Sequence, residues 1–533
     1  MALLSYASLL ERQPLSIIAV LCVLFSVLRL SGSRRRKRFP ELNPKKPLEF
    51  STQSRVNDFV SRSKEILIQG RLRYRDKPYR LNCDFGEVIV LPPQLIDEIR
   101  SHPSLNFAIP AVDDAHAYIP GFEPFGGNDN MPKLITKHLT KALSTLCTLT
   151  AVAPNHACSF MDIAKLTGSI SQEATHGLKR LFTDSTNWHE IDPKIDIMRV
   201  VSQMSSRIFM GEDLCRDEEW VKASGDYTSA AFQLSDTIRA WPRNLRPVVH
   251  WFMPACWELR RKLATARQVL APHIEKRNNL KQQAAQRGEK IRFDDSIEWF
   301  EQECNDGCDP ALKQITLSLV AIHTTSDLLV QVMLDLAQHP ELIEPLRSEV
   351  IEVLTTQGLK KTSLYNLKLM DSVFKESQRL KPAVLAPMRR LVTKDMELSD
   401  GTKLFKGEKI IADAAHMWDS SRYTEAERYD GYRFLRMRET AGQDKHAHLV
   451  STSADHLGFG HGQHACPGRF FAANEVKIAL IHLLLKYDWK LASGLRPQPI
   501  AFGMSILPDP EAKLLIRRRQ EELDLEGLEV ERQ

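Results

Sequence analysis

The segment Leu457-Gly458-Phe459-Gly460-His461-Gly462-Gln463-His464-Ala465-Cys466-Pro467-Gly468-Arg469 constrains this chain more than any other. Alternating glycines permit a tight loop. The run from Arg469 to Tyr487 that follows reads as a helix. Cys466 therefore stands at the mouth of a helix, where unpaired amide groups favour a thiolate. Three chemistries compete for such a site. A dinucleotide loop lacks its third spaced glycine and any βαβ context here. A zinc site could draw on His461, His464 and Cys466, but no fourth ligand is evident. The third is haem iron with an axial thiolate, the ligand that pushes electron density toward O–O cleavage.

The chain has 533 residues, long for one ordinary core but within reach of a fold built around a large buried cofactor. Its 72 basic and 67 acidic residues leave a net charge of +5, too mild an imbalance to point to nucleic acid. Nine scattered cysteines, an odd number, suit reduced thiols better than a disulfide framework. Cys304 and Cys308 have metal-like spacing but no partner pair nearby, and they read as ordinary thiols.

Much of the basic excess is local, in Arg34-Arg35-Arg36-Lys37-Arg38. Just before it lies an apolar run from Leu15 to Leu28, barely long enough to span a bilayer. A cleaved signal peptide is the rival reading, yet Met1 to Leu10 holds no basic residue and the run ends in a block that resembles a stop-transfer sequence. The expectation is an uncleaved anchor over 1–32, a basic and proline-rich hinge over 33–50, and a cytosolic body over 51–533.

Within the body, Asp84 to Pro92 reads as a strand and helical patterning dominates from about 130 to 385. The stretch from about 490 onward reads as short and irregular. One long helix can be drawn closely: Asp309 as N-cap, Pro310 in the first turn, and a stop at His339 before Pro340. It is apolar nearly all round except for His323-Thr324-Thr325-Ser326-Asp327, and buried polar groups midway along a helix call for an explanation. Glu376 and Arg379, three apart, share a helix face; on spacing alone they read as a solvated surface pair.

Phe459-x-x-Gly462-x-His464-x-Cys466-x-Gly468 resembles the cysteine-loop pattern of the cytochrome P450 superfamily, and the resemblance extends over essentially the whole chain. It implies that Cys466 is the axial haem ligand, that Phe459 packs near the sulfur, that Gly462 allows the turn and that His464 bonds a haem propionate. The family more often has Arg at that last position. Glu376 and Arg379 are similar to its Glu-x-x-Arg helix, with Arg433 of Tyr429-Asp430-Gly431-Tyr432-Arg433-Phe434 completing a structural triad; Gly431 replaces the usual Pro. Of the pair Arg389 and Arg390, Arg390 is the one expected at a propionate. Thr324 matches the threonine that steers protons in oxygen activation, with His323 in the place of an acid; an imidazole with a pKa near 6.5 can relay protons at neutral pH. Tyr118-Ile119-Pro120-Gly121-Phe122-Glu123-Pro124-Phe125 falls where a loop lines the substrate entrance and resembles fungal members.

The resemblance thus implies a mainly α fold with a small β region, preceded by one membrane helix. It implies a haem b monooxygenase taking NADPH electrons from a cytochrome P450 reductase, with cytochrome b5 as a second candidate donor. The substrate would be a lipophilic small molecule of fungal terpenoid type, and the location the endoplasmic reticulum membrane. A haem-thiolate isomerase or dehydratase, and a non-catalytic haem-binding protein, are the alternatives.

Overall fold

A computed structural model of the chain describes residues 38–46, 49, 52–126, 131–140, 161–239, 241, 243–303 and 309–528. The expected anchor over 1–32, Cys304 and Cys308 lie outside the described residues.

The fold is mostly helical. Its helices include α1 (Gln53–Tyr74), α2 (Ala108–Asp114), α3 (Met161–Phe182), α4 (Pro193–Cys215), α5 (Glu218–Arg239), α6 (Pro254–Gln286), α7 (Pro310–Gln338), α8 (Ile343–Gln357), α9 (Lys368–Leu380), α10 (Arg433–Glu439) and α11 (Arg469–Lys486). α7 starts where the sequence places it: the Asp309 carboxylate accepts the Leu312 amide at 3.1 Å, which satisfies one of the unpaired donors of the first turn. It ends with His339 as cap, because Pro340 disfavours helix before it. Ile315, Leu319, Ile322, Leu329 and Leu336 are all buried. α4 packs between α3 and α7, and α11 rests on α3 and α7, so α7 runs through the main core. Among the described residues α7 is the one helix long and apolar enough to cross a membrane, and 67% of its most apolar window is buried within the fold.

The β structure is more dispersed than a region near the start of the body. A five-stranded sheet takes β1 (Tyr79–Cys83), β2 (Gly86–Leu91) and β3 (Leu105–Asn106) from early in the chain and β5 (Arg390–Val392) and β8 (Lys409–Ala412) from late, in the order β1-β2-β8-β5-β3. β2 and β8 pair in parallel, Ile89 opposite Ile410. β6 (Met396–Glu397) and β7 (Lys403–Leu404) form a small hairpin. The C-terminal stretch is not irregular. β9 (Tyr487–Leu491) and β12 (Leu514–Arg518) join β4 (His189–Ile191) in one sheet, and β10 (Ile500–Phe502) with β11 (Ser505–Leu507) forms a hairpin. These strands are three to five residues long and β12 pairs with a segment some three hundred residues away, so local periodicity carries little trace of them.

Candidate active site

The Cys466 loop is held by its own backbone. The Cys466 amide donates to the Phe459 carbonyl at 2.8 Å, the Gly460 amide to Leu457 at 2.8 Å and the Ala465 amide to Gly462 at 3.0 Å. Gly462 has φ +78°, and a Cβ there would lie 2.5 Å from the Arg100 carbonyl oxygen; both facts demand glycine. α11 begins three residues after Cys466. The amide hydrogens of Gly468 and Arg469 and the Arg469 charge favour the thiolate, as the helix start suggests, but burial outweighs them and pushes the thiol above its ordinary value.

His461 is not poised as a metal ligand. Its Nδ1 meets Thr452 at 3.1 Å, and its Nε2 lies 3.2 Å from Asp97 and 3.1 Å from Arg100. His464 instead stacks on Phe107, with ring centroids 5.5 Å apart. Among the described residues no group of three His, Cys, Asp or Glu side chains is placed to hold a metal ion, which removes the support for a zinc site.

Glu376 and Arg379 are not a surface pair. Both side chains are fully buried, and Arg379 donates Nε and Nη2 to the two carboxylate oxygens at 2.8 Å each. Arg433 donates Nε to the same carboxylate at 3.0 Å, and its Nη atoms reach the carbonyls of Thr424, Glu425 and Arg428. Arg379 donates further to the Met417 carbonyl. One carboxylate thus binds α9, the start of α10 and the 417–428 turns into a unit. At Gly431 a Cβ would lie 2.7 Å from Leu342, so the space a proline needs is already filled.

Arg389 and Arg390, which directly follow a residue with left-handed backbone, Met388 (φ +62°), take different partners. Arg389 pairs with Asp114 at 3.0 Å. Arg390 is 3% exposed, lies over the Phe107 ring at 5.3 Å, and has no carboxylate partner among the described residues; burial alone pushes it down to about 10. His464 is held below its ordinary value by burial and by the Arg390 charge. The Arg469 Nε is likewise buried without a partner. Buried cations without an anion are costly. Arg390 and His464 both lie against Phe107 at the Cys466 loop, and with the Arg469 Nε these donors fit the carboxylates of a haem; a Cβ built on Gly468 meets no protein atom within 4 Å.

The polar island of α7 divides. Thr325 and Ser326 are buried, whereas Thr324 is exposed and Val320 is 55% exposed, on a helix that is otherwise core. Thr324 Oγ1 donates back to the Val320 carbonyl at 3.3 Å. His323 lies edge-on to Phe232 of α5, and burial and Lys194 hold it below its ordinary value. Burial pushes Asp327, one turn on, up to about 6. The 118–125 loop turns inward: Ile119, Phe122 and Pro124 are buried. Phe107, Asp114 and Phe232 come to the site from elements far along the chain, and nothing in their local sequence marks them. Arg469 carried a signal, being three residues from Cys466.

Residues 153–516 match the family model for cytochrome P450. The chain is 51% identical over 507 residues to cytochrome P450 monooxygenase eqxH of Fusarium heterosporum, covering 94% of this chain and 95% of that protein. It is 40% identical over 519 residues to cytochrome P450 monooxygenase hepE of Aspergillus oryzae, with 96% and 91% covered. Its fold is similar to the crystal structure of the cytochrome P450DA heme domain at a TM-score of 0.64 and 15% identity, with 90% of this chain and 98% of that chain covered. The chain belongs to the cytochrome P450 family. It is a haem monooxygenase, an oxidoreductase that draws electrons from a redox partner.

Proposed function

We propose that Cys466 would supply the thiolate that holds a haem b, that Phe459, Gly462 and Gly468 would shape its cradle, and that Arg390 and His464 would hold its propionates. The observation that carries this reading is that buried Arg390, with no carboxylate partner among the described residues, and exposed His464 both lie against Phe107 at the cysteine loop. When bound, the haem supplies dioxygen activation, and its thiolate ligand favours O–O cleavage. The protein's own parts follow from position. Glu376, Arg379 and Arg433 keep the loop's surroundings fixed. Thr324 Oγ1, bonded back to its own helix, can pass a proton without moving its backbone. His323 is neutral at pH 7, so one ring nitrogen can take a proton while the other gives one.

The electrons come from NADPH through a cytochrome P450 reductase, with cytochrome b5 as a second donor. The division into an anchor over 1–32, a hinge over 33–50 and a catalytic body over 51–533 places the enzyme on the endoplasmic reticulum membrane. Supporting this, Trp241, Leu245, Val248, Trp251, Phe252 and Trp257 are exposed within one short segment. Phe39, within the hinge, shares a pocket with Arg243 and Arg246 of that segment. The substrate is a lipophilic small molecule of fungal secondary metabolism, of terpenoid type. Full-length enzyme reconstituted with reductase and NADPH, challenged with a panel of terpenoid hydrocarbons, should consume NADPH faster with a substrate present and form a product heavier by one oxygen. A panel of polyketide-derived lipids acting in place of the terpenoids would overturn the terpenoid assignment.

A further inference from the structure

His323 makes no side-chain hydrogen bond to a described residue; its ring is positioned by contact with Phe232, at a centroid distance of 5.2 Å and an interplanar angle of 86°. Phe232 in turn lies edge-on to Phe125 at 5.8 Å, and Phe125 packs on Phe122 at 5.9 Å. That wall is fixed by three helices: Tyr227 Oη donates to the Gly121 carbonyl at 2.7 Å, Thr316 Oγ1 to Pro124 at 2.8 Å and Arg260 Nε to Pro120 at 3.2 Å. Phe232 thus bears on a rigid wall and on His323, yet 44% of it is uncovered. Val320 and His323 are three apart and share a face of α7, and Val320 is the most exposed large apolar residue of that helix. An apolar molecule seated beside Val320 and Thr324 would lie within one helical turn of His323, the ring that Phe232 contacts.

We infer that Phe232 is the positioning residue for His323, and that a molecule seated beside Thr324 alters the imidazole's orientation through the Phe232 ring. The inference rests on the reading of His323 as a proton carrier. Charged groups near the imidazole are Lys194 on α4 and Asp327 on α7; neither forms an ion pair with a described residue, so neither fixes the ring. An edge-to-face pair shifts a two-orientation balance by roughly two- to tenfold, enough to change how often the proton carrier is aligned.

The test uses full-length holoenzyme labelled with carbon-13 at histidine Cε1, in the diamagnetic ferrous carbon monoxide form, with the His323→Phe spectrum assigning the peak. A hydrophobic probe, camphor, is titrated into wild type, Phe232→Leu, which keeps the apolar bulk, and Phe232→Tyr, which keeps the ring. Hydrogen peroxide released per NADPH is measured on the same proteins with reductase and camphor. The inference expects camphor to shift the His323 resonance in wild type and Phe232→Tyr but not in Phe232→Leu. It also expects Phe232→Leu to raise peroxide release about as far as His323→Phe does, with the double variant no worse than either. A camphor-induced shift of the same size in Phe232→Leu would overturn it, as would additive peroxide release in the double variant. If His323→Phe itself leaves peroxide release unchanged, the proton-carrier reading is what fails, while the resonance shift still decides whether Phe232 positions the ring.

Discussion

Arg389 and Arg390 are consecutive in the chain, but Arg389 has a carboxylate partner, Asp114 at 3.0 Å, and Arg390 has none among the described residues. The two should respond differently to removal. Arg390→Ala should speed haem loss by roughly ten- to hundredfold, the loss of a charge-assisted hydrogen bond of about 1.5–3 kcal/mol. Arg389→Ala should leave haem loss near the wild-type rate, and instead loosen α2, where the Asp114 carboxylate would retain, among the described residues, the Lys409 ammonium at 3.3 Å. Transfer of haem to an excess of apomyoglobin measures the first effect, and amide hydrogen exchange at 108–114 the second.

Glu376→Gln leaves Arg379 and Arg433 as buried cations facing a neutral amide. Removing one partner of a buried pair costs about 3–5 kcal/mol. Chemical unfolding of the holoenzyme should show a loss of that order, and the variant should recover little folded protein on expression. A loss below about 1 kcal/mol, the range of exposed pairs, would mean that the network is dispensable.

Part of this arrangement is legible in the sequence and part is not. The limits of α7 were legible because Asp309, Pro310 and Pro340 act locally. So was the grouping of Glu376, Arg379 and Arg433, though only through resemblance to a family: the spacing of Glu376 and Arg379 says that they share a face, not that the face is buried. The choice of Arg390 rested on its place beside the following strand. That Arg389 would turn to Asp114, and that Phe107 would lie between Arg390 and His464, depends on contacts separated by nearly three hundred residues or more. The strands after Tyr487 leave little local trace for the same reason.

Gly462→Ala should be poorly tolerated. The left-handed backbone costs about 1–2 kcal/mol for a residue with a Cβ, and the added atom meets the rigid Arg100 backbone rather than a flexible side chain. Gly468→Ala has neither problem in the polypeptide, since φ is −88° and no protein atom lies within 4 Å of the new Cβ. It should fold normally while retaining less haem. Thermal melting beside the haem-to-protein ratio separates the two outcomes.

Glu475 is fully buried between α11 and α4, and burial pushes its carboxyl up to about 8. Ser205 donates to one oxygen at 2.6 Å; the other has no partner. Because the folded state holds this proton above the pH at which the unfolded chain releases it, stability falls as pH rises from about 4.5 to 8. Glu475→Gln removes that dependence and should stabilise the protein at pH 7 by about 2–3 kcal/mol, with little change at pH 4.5. Urea unfolding across this range checks the slope.

The central claim is that Cys466 ligates haem iron through its sulfur. Its most direct test is the absorption spectrum of the purified full-length protein, reduced and exposed to carbon monoxide, beside Cys466→Ala. A strongly red-shifted Soret band in the wild type that is absent from the variant is the expected result. A spectrum unchanged by the substitution, or no haem band in folded, haem-replete protein, would contradict it.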